Sequence, residues 1–133
     1  MNKAEIPFLS VSQLSELIKN REVSPVEAVE GYLDRIESLN DRLHAYLTVC
    51  RDEALQVAQE SEGALARGEY KGPLHGIPVA VKDQLNTAGI RTTSGTPIFN
   101  DFVPNQDATA VARLKSAGAS PSPPTVTVTR KYT

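Results

Sequence analysis

The run "IPVAV", Ile77–Val81, constrains the fold more than any other stretch of this chain. It is too short and too β-branched for a helix, and it lacks the alternation of a half-exposed strand, so it reads as a strand buried on both faces. Such a strand needs sheet neighbours and helices that cover it. Two charges, Lys82 and Asp83, follow at once. Alternate residues of a strand share a face, so Lys82 lies with Ala80 and Pro78, while Val79 and Val81 face the other way. The two charges are therefore expected to point apart.

The rest of the chain supplies helices. "SVSQ" offers Ser10 and Gln13 as a capping box, followed by Leu14, Leu17 and Ile18 at helical spacing. "SPVE" repeats the device, with Ser24 as N-cap, Pro25 at the first helical position and Glu27 as reciprocal cap. Val26, Val29, Tyr32, Leu33 and Ile36 then form one apolar stripe, opposite Glu30, Asp34 and Glu37. Gly31 should weaken this helix slightly, and Asn40 should stop it. "RDEALQVAQESEGALARG" predicts a third helix ending at Gly68, its alanines suited to close packing. "EYKGPLHG" and "NTAGIRTTSGTP" read as loops. Asp107 is expected to cap "ATAVARLKSAG", with Val111 and Leu114 facing a core and Gly118 closing the helix.

After Ala119 the composition changes. "SPSPPTVTVTRKYT" holds three of the nine prolines and no acidic residue. A helix ending in "SAGA" should hand over to a buried strand, and Pro121, Pro123 and Pro124 oppose one there. The expected division is residues 1–119 as one structural unit and 120–133 as a disordered or loosely extended tail.

The sixteen acidic and fourteen basic residues give a net charge of −2 and are interspersed, which argues against a nucleic-acid partner. Cys50 is the only cysteine, so the chain forms no internal disulfide. The N-terminus lacks the apolar core of a signal peptide, and no apolar run nears the ~20 residues that span a bilayer. These features predict a cytoplasmic chain with no membrane contact. No His, Cys or Asp spacing resembles a metal site.

Lys82 is the chemically suggestive residue. Groups on α/β sheets gather where strands end, and an amine walled by apolar residues there loses hydration, which favours its neutral, basic form. The competing reading is a lysine emerging into water. Asp83 reads as a turn former whose carboxylate binds nearby amides. His75 reads as a local hydrogen-bonder, His44 has no partner, and Cys50 reads as a packing residue. "TTSG", Thr92–Gly95, fits a pocket wall or a turn equally well.

"GPLHGIPVAVKDQLNTAGIRTTSGTPIF", "DATAVARLKSAGA" and "EVSPVEAVEGYLDRIESLNDRLHAYLTV" resemble the N-terminal part of the amidase signature family, a likeness running from about Leu9 to Ala119. The resemblance implies an α/β fold with a large mixed sheet enclosed by helices, of which this chain carries the helices and one or two strands. It implies cleavage of carboxamide C–N bonds by a Ser–Ser–Lys triad, with Lys82 as the base, a small-molecule amide as substrate and no metal or organic cofactor. The family's bridging and nucleophilic serines belong to a Gly/Ser-rich signature further along, preceded by an apolar strand and "GKT". Ser94 falls in a different loop, and Ser120 and Ser122 in the tail. The expectation is a truncated product, from a frameshift near codon 119, inactive by itself. A stand-alone amidase is the favoured parent. The alternatives are the A subunit of a tRNA-dependent amidotransferase and a non-enzymatic helical interaction module.

Overall fold

Two hydroxyls start two of the helices. Ser10 accepts the Gln13 amide while the Gln13 side chain returns to the Ser10 amide, opening α1 (Val11–Lys19). Ser24 and Glu27 do the same for α2 (Pro25–Leu43), with Pro25 at its first turn. Both capping boxes form as the sequence requires. The computed structural model describes residues 1–119 and 126–128, and the order of its main elements is α1, α2, α3 (Arg51–Ala66), β1 (Ala80–Lys82), α4 (Thr109–Ser116) and β2 (Val126–Val128).

Helix α2 is the central post. Its Val29 and Leu33 bury against Ala54 and Ala58 of α3, both fully buried, so the α3 alanines let two helices approach closely. A second face of α2, at Ala28 and Gly31, is buried too. It receives a 3₁₀ turn, Lys3–Phe8, that the sequence pattern does not announce. Ile6 of that turn joins Leu14, Ile18, Val23, Ala28, Leu65 and Ile77 in the main core. A Cβ on Gly31 would lie 2.7 Å from the Lys3 carbonyl oxygen. The glycine is therefore a contact residue as well as a weak point in the helix. Asn40 does not stop α2, which runs to Leu43 and ends on His44 in the left-handed region (φ 48°). Asn40 instead turns its side chain to the next segment, pairing both ways with the Tyr46 backbone.

Helix α3 ends at Ala66, two residues before the expected end at Gly68, and Gly68 takes a positive φ. The Arg21 guanidinium donates to the Leu65 carbonyl at 2.8 Å, placing a cation on that helix C-terminus.

The strand differs from expectation in extent and burial. Only Ala80–Lys82 is regular strand; Val81 is buried, while Ala80 and Lys82 are exposed. Ile77 and Val79 pack on the helical core, so one face of this segment has its covering layer and the other does not. The partner strand is also where none was expected. β2 pairs parallel with β1 in the register Ala80↔Val126, Val81↔Thr127, Lys82↔Val128. Within "TVTVT", Val126–Val128 is thus a strand that follows the prolines. A parallel pair requires a crossover, and α4 lies in it. The remainder of the expected tail, 120–125 and 129–133, lies outside the described residues.

Candidate active site

The end of β1 is held in place from three directions. Upstream, His75 is buried and makes both of its ring hydrogen bonds with backbone. Its Nδ1 accepts the Lys71 amide at 3.2 Å, which makes Nε2 the donor to the Ser61 carbonyl of α3 at 2.8 Å. This fastens the loop before β1 to the helical layer, and the local hydrogen-bonder reading of His75 holds. One residue on, the Gly76 amide donates to the Gly118 carbonyl at 2.8 Å, so the entrance to β1 touches the exit of α4. Gly118 sits at φ 82°, where an added Cβ would lie 2.8 Å from Lys71 Cβ. Only glycine fits there without displacing the loop.

At the far end, Lys82 and Asp83 part as the strand period dictates: Lys82 is exposed and Asp83 is 2% exposed. A buried carboxylate needs donors. The Thr93 amide gives one at 2.7 Å to Oδ1, the Thr93 hydroxyl gives another to Oδ2, and the Ser94 amide donates to the Asp83 carbonyl at 2.8 Å. Asp83 is the turn-forming residue the sequence suggests, but the amides it binds are ten and eleven positions away rather than nearby. "TTSG" is settled as a built turn. Thr93 Oγ1 accepts the Gly95 amide at 3.2 Å, the Thr96 amide returns to the Thr93 carbonyl at 3.0 Å, and Ser94 is left-handed at φ 52°. Sequence reasoning does not find Thr93 as an anchor. Its available signal is a threonine pair before a glycine, shortly after a lone aspartate.

The loop between Asp83 and α4 is closed by its own bonds: Gly89 to the Pro104 carbonyl at 2.9 Å, Thr92 to that of Phe102 at 2.9 Å, and Ala108 to that of Asn86 at 2.7 Å. Asp107 does not cap α4. Its carboxylate accepts the Ala88 amide at 2.8 Å and the Lys115 amine at 2.6 Å, leaving α4 without a side-chain cap. Burial by itself pushes this carboxyl up, but the Lys115 and Ala88 donors outweigh it and hold the group below the usual aspartate range.

The other titratable groups singled out in the sequence stay apart from this end of β1. Burial, then the charge of Glu53, pushes the half-buried Cys50 thiol up, which suits a packing residue rather than a nucleophile. His44 caps α2. Among the described residues, no cluster of three His, Cys, Asp or Glu could hold a metal ion, and no helix is long and apolar enough to cross a membrane. The structure thus brings together Lys82, Asp83 and the Thr92–Gly95 turn, and leaves His44 and Cys50 elsewhere.

The family model described as Amidase matches residues 27–127. The chain belongs to the amidase family. The match reaches into β2, so the family pattern continues past Ala119. The A subunit of the glutamyl-tRNA(Gln) amidotransferase of Carboxydothermus hydrogenoformans is 46% identical over 115 residues, which are 86% of this chain and 24% of that protein. A putative amidase, AmiD, of Mycobacterium bovis is 41% identical over 119 residues, 90% of this chain and 25% of that protein. Among solved structures, the peptide amidase of Stenotrophomonas maltophilia matches with TM-score 0.78 and 34% identity, over 84% of this chain and 23% of its own. Fatty acid amide hydrolase matches with TM-score 0.82 and 28% identity, over 88% of this chain and 21% of its own. This amidase-family chain spans about a quarter of the length of the curated relatives it matches. Its helices and two parallel strands are the N-terminal portion of the amidase α/β fold.

Proposed function

We propose that this chain carries the general base, Lys82, of an amide-hydrolysing site whose two serine hydroxyls are not among its 133 residues. The observation that carries this reading is the end of β1: an amine on the open face of a strand whose next residue is buried and tied to a second loop. That arrangement leaves the amine on the exposed side of the strand. A neutral Lys82 would take the proton of a bridging serine as that serine takes the proton of the nucleophile. The nucleophile's oxygen then bonds the amide carbon, the C–N bond breaks with the proton returned to the nitrogen, and water releases the acyl group. By this reading the 133-residue chain is inactive alone, because a base with nothing to deprotonate contributes little.

A graft tests it. Residues 1–119 replace the matching segment of the Stenotrophomonas maltophilia peptide amidase, and carboxamide hydrolysis is followed as ammonia release. The graft should be active, and Lys82→Ala should reduce its turnover on the order of 10²–10⁴-fold. A Lys82→Ala graft as active as its parent would remove Lys82 from the mechanism.

A second reading takes the parent protein to be the A subunit of an amidotransferase. It is favoured by the 46% identity to such a protein, compared with 41% to the putative amidase. Grafting the same residues into the Carboxydothermus hydrogenoformans protein separates the two. The parent whose own activity is restored more fully identifies the closer relative.

A further inference from the structure

We infer that Asp83 is a positioning residue for Lys82, acting through Thr93; this rests on the reading of Lys82 as the base. Lys82 is the last residue of a three-residue strand. Behind it the ladder with Val128 fixes its backbone, and ahead of it, among the described residues, one turn bond from the Leu85 amide to its carbonyl at 2.9 Å does so. A long, exposed side chain at such an end is placed no better than the backbone that carries it. Asp83 supplies the missing restraint. Its carboxylate takes the amide and the hydroxyl of Thr93, and its carbonyl takes the Ser94 amide. Three bonds thus join the residue after Lys82 to two consecutive residues of another turn.

That turn is itself rigidly built. Thr93 is 5% exposed, its hydroxyl accepts the Gly95 amide at 3.2 Å and its carbonyl accepts the Thr96 amide at 3.0 Å. The hydroxyl has both jobs at once, donor to Asp83 and acceptor from Gly95. Serine can do both and valine neither. An asparagine at 83 keeps the shape but turns its amide toward the Thr93 hydroxyl, which must then give up its donation. The lock therefore needs a carboxylate at 83 and a hydroxyl at 93.

The experiment has two readouts. In the 133-residue chain, amide resonances of Thr93 and Ser94 are compared between the parent and Asp83→Asn. The Thr93 amide should move in Asp83→Asn, while the amides of α1–α3 stay in place. In the active graft, Asp83→Asn and Thr93→Val should each lower kcat on the order of 10²-fold, the cost of a small misplacement of a reacting group, with KM unchanged. Thr93→Ser should restore kcat to near the parent value. A Thr93 amide indifferent to Asp83, or an Asp83→Asn graft with parental kcat, would overturn the positioning role. So would a Thr93→Ser variant as slow as Thr93→Val. Lys82→Ala distinguishes the two claims: if it leaves the graft active, the base reading fails irrespective of Asp83.

Discussion

Gly31 and Asp107 show how a residue's role can depend on partners far along the chain. By helix propensity alone, Gly31→Ala should stabilise α2 by about 1 kcal/mol. In the fold, the new Cβ would meet the Lys3 carbonyl at 2.7 Å, and backbone cannot yield as a flexible side chain does. We expect Gly31→Ala to destabilise by about 1–3 kcal/mol, as overpacking does, read as a lower urea midpoint. A raised midpoint would mean that the 3₁₀ turn does not pack on this face of α2. Asp107 makes a pH-dependent prediction. Its folded carboxyl lies below the usual range, so its contribution is complete above the unfolded value of about 3.9 and is lost as pH falls through the folded value. Asp107→Asn should therefore cost about 1–3 kcal/mol at neutral pH and little at a pH low enough to protonate the carboxyl in both states. An equal cost at both pH values would show that the Lys115 and Ala88 bonds are not the source.

At the level of elements, legibility follows range. The capping boxes at Ser10 and Ser24 involve residues three apart and can be read from the sequence outright. Ser24→Ala should cost about 1 kcal/mol in thermal or urea unfolding, and a cost near zero would mean that the Ser24 cap contributes nothing. Asp107 has the look of the same device and is not one, because a partner eight residues on and an amide nineteen back claim its carboxylate. The extra buried face of α2 is invisible in the sequence because the 3₁₀ turn that covers it carries a single buried apolar residue, Ile6. β2 escapes a sequence reading because the prolines mark where a strand cannot start, without forbidding one a few residues later. The opposed directions of Lys82 and Asp83 are legible from the strand period. The Thr93 anchor is not, since no local pattern links positions 83 and 93.

The molecule as a whole is unevenly supported. The main core draws on α1, α2, α3 and the 3₁₀ turn, and Ile77 is its one buried member from the strand segment. Parallel sheets are stable when covered on both faces, yet Ala80 and Lys82 are open. Ile98, Phe102 and Val103 of the long loop are exposed at 85%, 42% and 53%. Hydrogen exchange should accordingly divide the chain, with amides of α1–α3 well protected and those of β1 and the loop from Asp83 to Asp107 opening at lower free energy. A single sharp unfolding transition with equal protection throughout would contradict that division.

If Lys82 is a base waiting for hydroxyls supplied elsewhere, the most direct test uses the chain by itself. Purified 133-residue protein is incubated with simple carboxamides, and ammonia release is measured beside a Lys82→Ala control. Both should remain at the buffer rate, since absence of the nucleophile costs on the order of 10⁶ in turnover in a serine enzyme. Hydrolysis above that rate, abolished by Lys82→Ala, would contradict the proposal and place a working nucleophile within these residues.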